Sequence, residues 1–214
     1  MNRERSCSKA KVLIIFGAQF SVLLFILLNP LNTNAAQAPD AVIREVFDEL
    51  LIQLDTKRQS NSLTDEDVRT IFSTLLSPRI DYLALAQWIL RDHWVNASLG
   101  QKDEFLRAFE GYIINTYALA LSKGEKIVLD VEGDPLLRKN TAVVTAGIKI
   151  ANADAIPLDF RLIQRGEKWL LFDVTFSGVS LALTFRSDFS YVAKNGGIDA
   201  VTSHLNHRRK SSSP

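Results

Sequence analysis

The 214-residue chain carries 25 basic and 24 acidic residues, 47% hydrophobic side chains and one cysteine. A net charge of +1, with no basic run interleaved with aromatics, excludes a nucleic-acid grip, and a single thiol excludes an internal disulfide scaffold. Stability must come from an ordinary apolar core, for which this length suffices.

Arg3, Arg5, Lys9 and Lys11 precede an uncharged apolar run over residues 12–28, and Ala35, Ala36 and Ala38 follow it. This order predicts a secretory signal peptide over 1–38, cleaved between Ala35 and Ala38. Asn29 and Pro30 close the run and argue against a continuous membrane span. Cys7 leaves with the signal, and removing Arg3, Arg5, Lys9, Lys11 and Glu4 leaves 21 bases against 23 acids. One domain over 39–206 is expected, followed by a structureless basic tail over 207–214.

In 39–57, Val42, Ile43, Val46, Phe47, Leu50, Leu51 and Leu54 recur at helical spacing, a broad apolar stripe that needs a partner surface. Thr64 and Asp67 have capping-box spacing and open a second helix striped by Val68, Ile71, Phe72 and Leu75, which Pro78 ends. The third predicted helix, 79–95, is apolar almost all round and is expected to be buried on more than one side. Ser98 and Gln101 repeat the capping pattern for a fourth helix, which carries Phe105, Phe109, Ile113, Tyr117 and Ala120 and stops at Gly124.

From Glu125 the period changes to two. Ile127, Leu129 and Val131 predict a short strand, 132–140 a turn region, and Ala142, Val144, Ala146, Ile148 and Ile150 the apolar face of the next strand. Leu158, Phe160 and Leu162 mark a third strand. The fourth, 169–176, is apolar on both alternations except at Asp173 and Thr175, as a strand covered on both faces would be. Four strands in series predict an α+β fold with a twisted antiparallel meander of about four strands. Residues 177–180 break the pattern into a corner, 187–194 reads as a short helix, Gly196 and Gly197 interrupt it, and Ile198, Val201 and Leu205 stripe a final helix.

Catalytic patterns are fragmentary. His93 stands beside Asp92, and His204 and His207 lie three apart without a third metal ligand in the neighbouring sequence. Asp173, in an apolar strand, is the one carboxylate with the makings of a general base, but pairing with Arg161 or Arg186 accounts for it more simply. What stands out instead is surplus apolar surface, enough for a generous core or for a cavity.

An export signal, Asp81-Tyr82, Leu90 and Trp94, then Phe105, Phe109 and Tyr117, then Trp169, Asp173, Gly178-Val179-Ser180-Leu181, Phe185-Arg186-Ser187 and Phe189, together resemble the MlaC family. These are periplasmic phospholipid-binding proteins, also called toluene-tolerance auxiliary proteins. The resemblance runs from about Val42 to Leu205, with one departure: the family often has Gly where this chain has Arg91.

The resemblance implies an NTF2-like sheet packed with N-terminal and C-terminal helices around an apolar cavity. It implies a monomeric, non-enzymatic periplasmic carrier with no cofactor or metal, whose cargo is a diacyl phospholipid. Its implied partners are an inner-membrane ABC transporter with an MCE-domain ring and an outer-membrane lipoprotein complex, in maintenance of outer-membrane lipid asymmetry. Exposing two acyl chains to water costs on the order of 20 kcal/mol, so a carrier must hide both. The residues expected to line the cavity are Leu85, Ile89, Ile113, Tyr117, Val144, Phe160, Leu162, Phe172, Val174, Val179, Leu183 and Phe189. Two rival readings also use such a fold: a carrier or chaperone of lipoproteins, and an NTF2-like enzyme built on Asp173 or His93.

Overall fold

The computed structural model describes residues 37–122, 127–151 and 153–211, all in the unit Ala36–Pro214. The expected export segment up to residue 36, Cys7 included, lies outside them, as do Gly124 and the last three residues of the expected tail.

Helix α1, Pro39–Gln59, starts with Pro39, whose fixed φ suits the first helical position, and ends with Lys57 and Arg58 against the negative end of the helix dipole. Its stripe of Val42, Ile43, Val46, Leu50 and Leu54 is buried, as expected. Helix α2, Asp65–Ile71, opens with the predicted capping box: Asp67 N donates to Thr64 Oγ1 at 3.1 Å, and Thr64 N donates to Asp67 Oδ2 at 3.0 Å. A π turn, Phe72–Leu76, and a 3-10 turn, Ser77–Arg79, carry the chain past Pro78.

The predicted third helix is two helices. Ile80 is extended and bridges Leu171 in parallel, Asp81 caps α3 (Tyr82–Leu90), and α4 is the single turn Asp92–Val95. Arg91 between them has φ 47° and ψ −115°, a backbone region that suits glycine. Helix α5, Leu99–Ser122, opens as predicted, with Gln101 N donating to Ser98 Oγ and Ser98 N donating to Gln101 Oε1.

The sheet is antiparallel in sequence order: β1 Ile127–Arg138, β2 Thr141–Ile150, β3 Ile156–Arg165, β4 Lys168–Phe176 and β5 Val179–Ser180. The meander expected from the sequence is present, extended by the short fifth strand. Strand β1 does not end near Val131; it continues to Arg138 through a register shift between Glu132 and Leu136. Gly133, at φ 61°, takes up the distortion inside that shift.

Strand β4 also bulges. Leu162 pairs with Leu171 and Arg161 with Asp173, so Phe172 is skipped, and Leu171 and Val174 reach the same face opposite Leu162 and Phe160. That is why both alternations of this strand read as apolar.

Helix α6, Leu181–Ser211, follows β5 directly and breaks at Gly196–Gly197. Gly197 has φ 64°, ψ −158°, open only to glycine. The helix thus begins before the expected 187 and continues through Ser211, where a structureless tail was expected from 207. Arg208 lies over the Tyr112 ring, 5.7 Å from its centre, and Asn115 Nδ2 donates to the Arg209 carbonyl at 3.3 Å, which holds this end against α5.

The apolar interior forms two clusters. One joins α2 to α6 with the Val46–Leu54 part of α1. The other joins the sheet's inner face to Val42 and Ile43 of α1.

Candidate functional site

The helical cluster is organised by aromatics. Phe109 of α5 meets Phe105 at 5.4 Å, Phe185 edge-on at 5.3 Å and Phe189 at 6.0 Å, and Tyr82 and Trp94 close the group from α3 and α4. Phe185 and Phe189 are one helical turn apart and stack at 5.8 Å. Tyr82 hydrogen-bonds Ser77 Oγ at 3.0 Å, and Ser77 Oγ donates to Glu110 at 2.6 Å. Burial raises the Tyr82 phenol well above its usual range, and burial, then neighbouring Tyr112, pushes Tyr117 up to about 12. Both stay neutral at any physiological pH.

Two carboxylates fasten the helices to the sheet. Asp81, 7% exposed, accepts from Ala84 N at 2.8 Å as the α3 cap and from Arg165 Nε of β3 at 2.7 Å, while its own N–H donates to the Leu171 carbonyl of β4. Asp173, equally buried, accepts from Ser180 Oγ at 2.7 Å and from Ala182 N at 3.0 Å. Ser180 Oγ in turn accepts from Leu183 N at 3.1 Å, so the serine and the aspartate together cap α6. Ser177, at φ 48°, and Gly178, at φ 83°, fold the chain back to make this possible. Arg161 stands opposite Asp173 in the ladder, but the carboxylate is taken by the corner, not by Arg161 or Arg186.

The twelve candidate lining residues do not converge on one surface. Leu85, Ile89, Ile113 and Phe189 are buried in the helical cluster, with Tyr117 packed against it. Val144, Phe160 and Leu162 are buried in the sheet cluster, with Val174 packed against it. Phe172, the residue skipped by the bulge, is half-buried. Val179 and Leu183 are 60% and 54% exposed at the corner.

The two clusters meet along a seam that the candidate list missed. Helix α1 serves both, giving Val42 and Ile43 to the sheet and Val46, Leu50 and Leu54 to the helices. Phe47 and Ile80 pack against both, and the Phe47 ring lies 5.2 Å from Phe160. Phe47 and Ile80 lie on this seam, between the helices and the sheet where an apolar cavity was expected. Its signal in the sequence was the width of the α1 stripe, too broad for one partner.

A sequence profile of the MlaC protein family matches residues 44–207. The chain belongs to the MlaC family. Among curated MlaC relatives, the intermembrane phospholipid transport system binding protein MlaC of Haemophilus influenzae is 23% identical over 193 residues, covering 87% of this chain and 90% of that protein. The toluene tolerance protein ttg2D of Pseudomonas putida is 23% identical over 181 residues, 83% of each chain. A phospholipid-binding protein of Ralstonia solanacearum, solved at 1.53 Å with a phospholipid, superposes with a TM-score of 0.74 at 20% identity, covering 83% of this chain and all of that one. The MlaC fold, mixed helices on an antiparallel sheet, is therefore shared from end to end of that neighbour.

Proposed function

We propose that this MlaC protein is a periplasmic carrier that holds a diacyl phospholipid by its acyl tails and passes it between an outer-membrane lipoprotein complex and an inner-membrane ABC transporter with an MCE-domain ring, as a monomer and without bond chemistry. The observation that carries this reading is the divided interior: two apolar clusters joined through α1, Phe47 and Ile80, with the Asp81 and Asp173 hydrogen bonds fastening the same helices to the sheet. Parting helices from sheet along that line exposes two continuous apolar walls. Each methylene seated between them recovers about 0.8 kcal/mol, so the tails replace the contacts that parting breaks. The names of the relatives and the phospholipid in the Ralstonia neighbour support the same reading.

The enzyme reading finds no support at Asp173, whose two oxygens are engaged by Ser180 and Ala182. The test belongs at the seam rather than at the candidates first named: Val144 and Phe160 are 1% and 2% exposed, and a charge at either tests folding before it tests carriage. Ile80→Trp combined with Phe47→Trp crowds the seam at a cost of about 1–3 kcal/mol. Folded double variant, exported and purified without detergent, is expected to retain much less phospholipid per chain than the parent. Equal lipid content in the two proteins would rule out the seam as the tail site.

A further inference from the structure

Helix α2, the middle of α5 and the last turn of α6 border a cleft of about 420 Å³ that shares no residue with the seam. Three cations line it, Arg69, Arg209 and Lys210, against one carboxylate, Glu66, which is turned largely to solvent and held by Arg69 Nη1 at 3.2 Å. Arg69 Nε donates to Asn115 Oδ1 at 2.9 Å, and Asn115 donates onward to the Arg209 carbonyl, so one asparagine sets both arginines in place.

Two features go beyond what helix-end electrostatics explains. Cations in a last helical turn are favoured by the dipole alone. That accounts neither for Arg69 Nη2, buried without a partner among the described residues, nor for Gly111 in the middle of α5. An unsatisfied buried donor costs about 1–3 kcal/mol, more when charged. A mid-helix glycine costs about 1 kcal/mol relative to alanine. At Gly111 a Cβ would stand 2.8 Å from Arg209 Nη1 and 3.3 Å from its Cδ, so a side chain there would shift the end of Arg209 from its place across α5.

From this geometry we propose that the cleft binds a phosphate-bearing anion between Arg69, Arg209 and Lys210. The planar guanidinium forks of the two arginines match phosphate oxygens, and Lys210 adds a point charge. The ligand is either a free phosphate or the headgroup of a lipid surface, and the proposal is independent of the acyl seam.

The test uses the exported protein at low ionic strength, where exposed charges are least screened. Broadening of the ³¹P signal of inorganic phosphate measures affinity, and flotation with phosphatidylglycerol vesicles measures surface binding. Saturable phosphate binding is expected, weakened by about tenfold or more in Arg209→Gln. Gly111→Ala is expected to weaken it similarly while leaving the helix as stable or more so, a combination that simple loss of fold cannot produce. Vesicle binding sensitive to the same two changes assigns the headgroup as the source; phosphate binding without it assigns the free anion. Absence of saturable phosphate binding, or binding that neither variant changes, overturns the proposal.

Discussion

Asp173 is where structural and catalytic readings make opposite predictions. Its carboxylate satisfies the Ser180 hydroxyl at 2.7 Å and the Ala182 N–H at 3.0 Å, all within buried surroundings. Asp173→Ala strands both donors, each at about 1–3 kcal/mol. The hydroxyl can still turn toward a backbone acceptor, so a total near 3 kcal/mol is expected, a large share of the roughly 5–15 kcal/mol that holds a domain of this kind together. Asp173→Asn keeps one acceptor and should cost about half as much. Urea unfolding of delipidated protein, followed by the fluorescence of Trp88, Trp94 and Trp169, reads both. With a slope of about 2 kcal/mol per molar, Asp173→Ala lowers the midpoint by about 1.5 M. An alanine variant within about 0.5 kcal/mol of the parent would refute the clamp and reopen the question of what a buried aspartate does there.

Asp81 combines a helix cap worth about 1 kcal/mol with an ion pair to Arg165 that is 46% exposed on the arginine side and therefore worth about 1 kcal/mol at most. Asp81→Asn, which keeps the cap and loses the charge, should cost about 1 kcal/mol and Asp81→Ala about 2; an Asp81→Asn variant as stable as the parent by urea unfolding would show that the charge contributes nothing. At Arg91 the left-handed backbone is strained, so Arg91→Gly is expected to stabilise by about 1 kcal/mol, and a lower melting temperature would contradict the break between α3 and α4. Lys57, then Thr64, hold the Asp67 carboxyl down to about 2 from its ordinary 3.8. Its contribution is therefore complete above pH 4 and is lost as pH falls toward 2. NMR titration should show the Asp67 value rising toward 3.8 in Lys57→Gln, and an unmoved value would remove the 2.8 Å pair from the account.

Local chemistry made much of this fold legible. Thr64-Asp67 and Ser98-Gln101 announce their helices because capping is a short-range hydrogen-bond pattern. Alternation over Ala142–Ile150 likewise reports one covered face. What stayed hidden depends on distant partners. Gly133 and Pro135 read as a turn, yet pairing with β2 carries β1 past them. Arg91 gives no local sign of a helix break; the one hint is that the resemblance expects glycine there, the residue that suits its positive φ. The basic end read as solvated, but Tyr112 and Asn115 on α5 give it a surface to lie on.

The same distinction governs the site. Apolar residues such as Ile113 and Val144 were identifiable as buried, but which cluster each joins is decided by the crossing of α1 over both. Phe47 and Ile80, at the junction, carry no local mark that separates them from other core positions. Asp173 and the Gly178–Leu181 corner recur together in the resemblance because one caps the helix that the other begins.

Carriage of a phospholipid is tested most directly by exporting the protein in a bacterium, purifying it without detergent, and recording native and denaturing mass spectra of one sample. The account predicts a folded monomer that carries about one phospholipid and releases it on denaturation. A stable, folded protein that is lipid-free across several preparations would contradict it and leave the two clusters as core alone.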